Sequence, residues 1–256
     1  MDIEHVYKYC ALTDYALKNI KDDTVAFTHI KSLNDPLEAI VRINFNEECR
    51  SYFDSIGKVD VLDEIGKCDD IHEGILREFR VLSLSLNNNN PLMWAHYASG
   101  HHGICIEYDV NDILKTATSV QKISYGNSLP WIGDNTVNLN EFLFHKSLAW
   151  EYENEIRAIY QFSSEDATEM ADYEVVKAIN NQEFCATNEC FLFNNKIYSF
   201  PKVVIKQCRI MNIYFGINTD EQAIKEVRAL AQNREIGLYK MKFEDSSYKL
   251  TAQPIV

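Results

Sequence analysis

Apolar and polar positions along this chain repeat with two different periods, which change from one short segment to the next. A period of two predicts half-buried strands, and a period of about 3.6 predicts amphipathic helices. The first pattern predicts strands at 6–9, 24–28, 81–86, 103–108, 121–125, 153–162, 189–200 (a hairpin), 203–215, 237–243 and 248–252. The second predicts helices at 14–21, 91–98, 110–117, 139–148 and 220–233. Since helices and strands do not alternate regularly, we predict an α+β fold around a split, mostly antiparallel or mixed sheet.

Residues 46–79 depart from this pattern, because charged residues dominate there and apolar positions follow helical spacing. We predict a helical insertion of two or three helices at about 46–79. No linker rich in Gly, Ser or Pro divides the chain, and no internal repeat is present. We therefore expect residues 1–256 to form a single domain.

The composition narrows the class of protein. The formal net charge of −13 disfavours extended nucleic-acid binding, which needs clustered Lys and Arg. The seven cysteines contain no Cys-x-x-Cys pair, so neither a disulfide framework nor a zinc site is predicted, and we expect no metal. The N-terminus lacks the pattern of a signal peptide, and no apolar run is long enough for a membrane helix. We expect a cytoplasmic protein that does not enter a membrane.

Polar side chains suited to ligand binding are concentrated between residues 81 and 109. Ser83 and Ser85 alternate with apolar residues, so both hydroxyls should face one side of a strand, where they could position a ligand or a carboxylate. His96 and Tyr97 follow on a short helix and are candidates for ligand contact. Ordinary structural hydrogen bonding remains an alternative for all four.

A second candidate group is the sequence from Glu153 to Arg157. On a strand, period two would place Glu153, Glu155 and Arg157 on one face. Two neighbouring carboxylates raise the pKa of one of them, whereas an adjacent arginine opposes that shift. Such a group could stabilise a developing cation. The alternative is a solvated strand face with a cross-strand ion pair.

Several segments together resemble a bacterial family of domains of unknown function: YKY, SLNDPLE, SLS followed by MWAHYASGHHGICIEYD, and WEYENEIR. That family in turn resembles a remote member of the ADP-ribosyltransferase superfamily. The superfamily carries His or Arg, then Ser or Tyr, then Glu, often as Glu-x-Glu, on three signature strands. The resemblance assigns these positions to Lys8 in YKY, to Ser83 or Ser85, and to Glu155 preceded by Glu153. Lys8 departs from the His or Arg of that pattern, which leaves the mode of NAD binding open.

The resemblance implies an ADP-ribosyltransferase-like fold and an NAD-using ADP-ribosyltransferase or NAD glycohydrolase. Glu155 would be the catalytic carboxylate with Glu153 as its helper, and Lys8 with Tyr9 would form the opposite wall of the cleft. His96 and Tyr97 would lie at or behind the nicotinamide pocket. Toxins and phage-defence effectors are the expected roles, with a protein partner or antitoxin as a possible companion. The acceptor remains open: protein, nucleic acid, small molecule or water.

Two other classes of function remain. A metal-dependent nuclease could use Asp35, Glu38, Glu153 and Glu155 as Mg²⁺ ligands. A non-catalytic sensor or partner-binding domain would need no converging carboxylates. Convergence of Glu155 with serine and lysine side chains in one cleft favours the NAD hypothesis, and convergence of carboxylates alone favours the nuclease.

Overall fold

The computed structural model of the chain describes residues 3–39, 42–43, 76–128, 131–132, 142–163, 166–170, 187–193 and 196–255. These residues form an α+β fold with a large mixed, mostly antiparallel sheet and few helices, which confirms the predicted fold class at this level. Most of the predicted insertion at 46–79 lies outside the described residues. Phe79, at its end, begins a strand instead of ending a helix.

The elements are short, as the sequence pattern predicts. The strands are β1 His5–Cys10, β2 Thr24–His29, β3 Arg42–Ile43, β4 Phe79–Ser85, β5 Ile104–Asp109, β6 Ser119–Lys122, β7 Ser124–Gly126, β8 Trp131–Ile132, β9 His145–Ser147, β10 Glu155–Gln161, β11 Thr168–Met170, β12 Asn188–Phe193, β13 Lys196–Pro201, β14 Val203–Gln207, β15 Ile210–Phe215, β16 Gly237–Phe243 and β17 Leu250–Pro254. The α-helices are α1 Asp14–Asp22, α2 Pro91–Tyr97, α3 Val110–Thr116 and α4 Glu221–Ala231. In the described parts of the chain, three short 3₁₀ helices span Ile30–Ser32, Pro36–Ala39 and Leu148–Glu153.

Ten of the described strands form the main sheet, in the order β14-β2-β4-β1-β5-β15-β16-β17, and β10 pairs with both β4 and β6. The pairs within this sheet are antiparallel except β15 with β16. A smaller sheet has the order β11-β13-β12, and two parallel pairs, β3 with β8 and β7 with β9, complete the pairing. The predicted hairpin at 189–200 corresponds to the antiparallel pair β12 and β13.

The main sheet forks at β4. One edge of β4 pairs along its whole length with β10. Its other edge is shared, because β2 pairs only at Arg80 and Val81 whereas β1 pairs only at Ser85. Residues 82–84 therefore have no strand partner on that edge, and backbone polar groups there are available for other contacts. This fork is where the candidate site lies.

Helices cover one face of the sheet. Ile20 of α1, Ile113 of α3 and Val227 of α4 are fully buried in one cluster with Val6 and Ile106 of the strands. The helix starts are defined by side-chain caps: Thr13 accepts from the α1 backbone, and Asp220 accepts from the α4 backbone. From these starts, each helix packs its apolar stripe against the sheet.

Two predicted elements are confirmed only in part. Of the helix predicted at 139–148, residues 142–143 are helical, residues 139–141 lie outside the described residues, and residues 145–148 form β9 and the start of the 3₁₀ helix Leu148–Glu153. The strand predicted at 121–125 is divided into β6, which pairs with β10, and β7, which pairs with β9. Both differences have one cause: pairing with a distant strand overrides local periodicity.

Two further observations concern the state of the cysteines and the length of the helices among the described residues. Cys10, Cys105 and Cys208 carry free thiols, and Cys49, Cys68 and Cys185 lie outside the described residues. None of the helices in the described part of the chain is both long and apolar enough to cross a membrane.

Candidate functional site

A cleft of about 180 Å³ opens at the fork of the sheet, between β1, the end of β2 and β4. Its walls include all the predicted site residues except His96: Lys8, Tyr9, Ser83, Ser85, Tyr97, Glu153 and Glu155. Glu38 and Lys146, which the prediction did not assign to this site, line it as well. The tertiary structure thus brings together residues that are up to about 150 positions apart in the sequence.

Lys8 of β1 contacts β4 at the fork. Its Nζ donates a hydrogen bond of 3.0 Å to the backbone carbonyl of Ser83, which lies on the unpaired edge of β4. Burial lowers the pKa of Lys8, although Glu155 and Glu153 partly oppose that effect. The Lys8 amino group therefore lies in the cleft wall, next to the two glutamates.

Three carboxylates converge on Lys146. Its Nζ lies 3.0 Å from Glu38, 2.5 Å from Glu153 and 3.3 Å from Glu155, and all four side chains are at most 5% exposed. Burial alone would lower the pKa of Lys146, but the three carboxylates outweigh it and raise the pKa. The Lys146 ammonium therefore stays charged and fixes the positions of the carboxylates.

Arg157 is the second cation of this cluster, and it pairs with Glu155 and Glu38. Its Nε donates to Glu155 Oε1 at 2.8 Å, its Nη1 donates to the carbonyl of Leu143 at 2.9 Å, and its Nη2 pairs with Glu38. The side chain is 1% exposed. Lys146 and Arg157 therefore neutralise two of the three glutamates.

Glu153 and Glu155 have pKa values that move in opposite directions. Burial opposes ionisation of Glu155, but Arg157 and Lys146 outweigh it and lower the pKa to about 2. Burial raises the pKa of Glu153, and Lys146 only partly counteracts this. Two adjacent carboxyl groups with separated pKa values are typical of acid–base and cation-stabilising sites. Glu155 is suited to carry a permanent negative charge and Glu153 to exchange a proton.

Tyr97 forms a hydrogen bond with Glu153. The Tyr97 hydroxyl donates to Glu153 Oε1, while Lys146 occupies Oε2. Burial, reinforced by the Glu153 charge, raises the pKa of Tyr97, so the phenol remains a donor at neutral pH. Tyr97 thus orients the carboxyl group whose pKa is raised.

The two serines have different roles. Ser85 Oγ donates to the backbone carbonyl of Glu153 at 2.7 Å and accepts from Asn87 N at 3.1 Å. Ser85 therefore positions the turn that carries Glu153. Ser83 Oγ is buried in the cleft wall and makes no hydrogen bond of ordinary geometry with the residues the structure describes, but it lies close enough to Glu155 to help lower the pKa of that carboxyl group. An unsatisfied buried hydroxyl lining a cleft is available to a ligand.

The local geometry that brings Glu153 beside Glu155 differs from the prediction. Glu153 ends the 3₁₀ helix, Asn154 adopts a left-handed conformation with φ 44° and ψ 53°, and β10 begins only at Glu155. The prediction that strand periodicity places Glu153 on the face of Glu155 and Arg157 was therefore wrong. Asn tolerates this conformation better than most residues, so the turn is consistent with the sequence.

Lys146 is the site residue that the prediction missed, Glu38 was considered only as a ligand of a nuclease metal, and Arg157 is far more buried than expected. Glu38 precedes Arg157 by 119 positions, and no local pattern links them. One signal was present near Lys146: Trp150 follows it by four residues, and the ammonium lies 4.9 Å from the centre of that ring. The interpretation of Glu153–Arg157 as a solvated strand face is excluded by burial of their charged side chains.

His96 lies outside the cleft. The side chain is exposed, and its ring is within 6.4 Å of Tyr97 and 6.1 Å of Tyr152 between centroids. Its position behind Tyr97 places it one layer from the cavity. Its predicted contact with a ligand remains a prediction.

The residues proposed for a nuclease are arranged differently from a metal site. Glu38, Glu153 and Glu155 do converge, but the Lys146 ammonium is the cation they surround. Asp35 lines another cavity. Within the described ranges, no three His, Cys, Asp or Glu side chains are arranged to hold a metal ion.

The pKa of Glu155 predicts a pH dependence of stability. A carboxyl group whose pKa falls on folding contributes stability above its ordinary pKa, and this contribution is lost as the pH falls through the folded value. We expect the difference in unfolding free energy between wild type and Glu155→Gln to shrink from about pH 4.5 towards pH 2. Urea titrations at several pH values measure it. The exposed Glu4→Gln variant is the control, and an equal pH dependence in both variants would contradict the assignment.

The comparisons with known proteins give one match. A family model described as "Protein of unknown function (DUF2971)" matches residues 93–158, about a quarter of the chain. No curated protein matches significantly. No solved structure does so either. The matched stretch runs from α2 into β10 and contains Tyr97, Lys146, Glu153, Glu155 and Arg157, so over this part of its site the chain is similar to a family of unknown function.

Proposed function

We propose that this protein cleaves the bond between nicotinamide and ribose in NAD, as an ADP-ribosyltransferase or NAD glycohydrolase. The observation that carries the proposal is the pair Glu153 and Glu155, which line one cleft with pKa values moved in opposite directions. Lys8, Ser83 and the two glutamates share this cleft, which is the arrangement expected from the resemblance to ADP-ribosyltransferases. Convergence of carboxylates alone would have favoured the nuclease.

The reaction needs a carboxylate that stays ionised. When the nicotinamide–ribose bond breaks, its electron pair leaves with nicotinamide and positive charge develops on the ribose. A fixed negative charge beside that carbon lowers the barrier without reorganising in the transition state. Glu155 meets this need, since Arg157 and Lys146 lower its pKa and hold it in place.

The second half of the reaction needs a proton acceptor. A water or an acceptor hydroxyl attacks the ribose carbon, its oxygen forms the new bond, and its proton must leave. Glu153 is suited to take that proton because its raised pKa lies closer to neutral pH than that of Glu155. Tyr97 and Lys146 orient its two oxygens.

The size and polarity of the cleft suit the reacting end of NAD. Its 180 Å³ is below the roughly 300–1,000 Å³ of pockets that enclose drug-sized ligands, so the cleft would hold nicotinamide and ribose rather than the whole dinucleotide. The hydroxyl of Ser83, which lies beside Glu155, is a donor for the ribose or the amide. The Lys8 amino group is a further donor for a ribose hydroxyl or phosphate oxygen.

Nicotinamide release tests the proposal. We expect purified protein incubated with NAD to produce nicotinamide, measured by chromatography, at a rate proportional to protein concentration. Free ADP-ribose in equal amount would identify a glycohydrolase, and a shortfall would identify transfer to an acceptor. No nicotinamide, either alone or with a bacterial lysate as acceptor source, would overturn the proposal. Mg²⁺-dependent cleavage of nucleic acid in parallel samples would support the nuclease instead.

The roles of toxin or phage-defence effector come from the resemblance alone. If they apply, expression in bacteria should lower cellular NAD and arrest growth. A partner or antitoxin would then restore growth. Quantifying NAD in cells that express the wild type and Glu155→Gln separates this effect from general toxicity of overexpression.

A further inference from the structure

A second cavity lies on the other side of the buried ion pair between Glu38 and Lys146. These two side chains line both cavities and form part of the wall between them. The second cavity has a volume of about 120 Å³, well above the roughly 10–15 Å³ that one water molecule needs. A small organic molecule fits this space, and the proposed reaction assigns no ligand to it.

Asp35 places a carboxylate in the wall of this cavity. The residue is 7% exposed, and its Oδ1 accepts from the backbone N–H of Leu37 at 2.9 Å. Its other oxygen makes no hydrogen bond or ion pair with any residue the structure describes, and the side chain lines the cavity. This oxygen is therefore left to accept from a cation bound in the cavity, which would pair with the Asp35 charge.

His145 faces the same cavity and also lacks a partner within the described part of the chain. Its imidazole packs directly on Gly126, where a Cβ atom would lie 2.8 Å from Nε2. The absence of a side chain at Gly126 therefore makes room for the ring. A neutral imidazole nitrogen accepts a hydrogen bond, so His145 offers a second acceptor near Asp35.

The charges around the cavity favour a cation. Lys146 lines the cavity, but Glu38, Glu153 and Glu155 already surround it. Among the residues that the structure describes, Asp35 therefore has no ion-pair partner at this cavity.

The walls favour an organic cation over a metal ion. Leu37 and Phe142 supply apolar surface, and an aromatic ring also attracts an ammonium group. One free carboxylate oxygen and one imidazole are too few ligands for a well-held metal ion. The described residues likewise contain no cluster of three metal-ligating side chains.

We infer that this second cavity binds a small organic cation, a primary ammonium group with a short apolar chain, with Asp35 as its counter-ion and His145 as a further hydrogen-bond acceptor. The site does not depend on the proposed NAD reaction, since none of its contacts involves the substrate. If that reaction holds, the site places an amine one ion pair away from Glu153 and Glu155.

Ethylammonium is the probe that tests this inference. We expect saturable binding of ethylammonium chloride to the full chain by calorimetry or ligand-observed NMR, at constant ionic strength set with sodium chloride. Propanol, of similar size and uncharged, should bind at least about tenfold more weakly, since a charge-assisted hydrogen bond is lost. Asp35→Asn should weaken ethylammonium binding by a similar factor. It retains a side-chain oxygen that can accept from Leu37 N, so the turn is expected to persist.

The controls make the outcomes decisive. Asp245→Asn removes the same charge at an exposed position in the loop between β16 and β17 and should bind as wild type does. Equal binding by Asp35→Asn and Asp245→Asn would overturn the inference, as would equal binding of ethylammonium and propanol by wild type. Binding of Mg²⁺ or Zn²⁺ that competes with ethylammonium and requires Asp35 would replace it with a metal site. Failure of NAD turnover has no bearing on any of these measurements.

Discussion

Glu155→Gln is expected to reduce the rate of nicotinamide release from NAD by a factor of at least about 10²–10³, the loss typical when one preorganised electrostatic group is removed from a transition state. The amide keeps the shape of the side chain but carries no charge to stabilise the developing ribose cation. The effect should fall on kcat more than on KM, because the lost interaction forms mainly in the transition state.

Folding must be separated from catalysis in this test, because Glu155 belongs to a buried ion cluster. Circular dichroism and urea titration establish whether Glu155→Gln is folded under assay conditions. Glu155→Asp keeps the charge and serves as a second variant whose activity should lie between those of wild type and Glu155→Gln. Glu4→Gln makes the same chemical change at an exposed position and should leave the rate unchanged. Wild-type turnover in folded Glu155→Gln would refute the assignment.

Arg157→Met is expected to lower the free energy of unfolding by about 3–5 kcal/mol, the cost typical of removing one partner from a buried ion pair. The substitution leaves Glu38 and Glu155 to share Lys146 and removes the donor to the carbonyl of Leu143. Because whole domains are stabilised by only about 5–15 kcal/mol, this loss should be visible as a large shift of the urea midpoint.

Arg209→Met is the matched control for this prediction. Arg209 pairs with Asp109 at 3.1 Å, but its side chain is 61% exposed, and such pairs contribute at most about 1 kcal/mol. Arg157→Lys should recover part of the lost stability, since it restores charge without the planar guanidinium. Equal effects of Arg157→Met and Arg209→Met would show that the buried cluster does not contribute in the way its burial indicates.

The sequence alone predicted much of the local structure. Helical periodicity predicted α1 at 14–21 and α2 at 91–98, close to the observed Asp14–Asp22 and Pro91–Tyr97. These signals are local, because caps and periodicity act over a few residues. Alternation also placed Ser83 and Ser85 on strand β4 and Arg157 on strand β10.

The tertiary structure decided which charges meet. Glu38 lies on a short 3₁₀ helix and Arg157 on β10, and only the packing of these distant elements brings the two side chains together. The sequence pattern of Glu153–Arg157 allowed either a solvated face or a ligand site. Burial decided between them, because it depends on which elements cover the strand and not on the strand itself.

The same distinction holds for the chemistry of the site. The sequence by itself determined that Glu153, Glu155, Ser83 and Lys8 exist on or beside strands. It did not determine that the pKa values of Glu153 and Glu155 separate, since these values depend on distances to charges far away in the chain and on exclusion of water. The fork at β4 set those distances: β1 and β2 diverge there, leaving an unpaired strand edge and a cleft. Strand pairing over long sequence separations, which no local periodicity encodes, therefore decided the site.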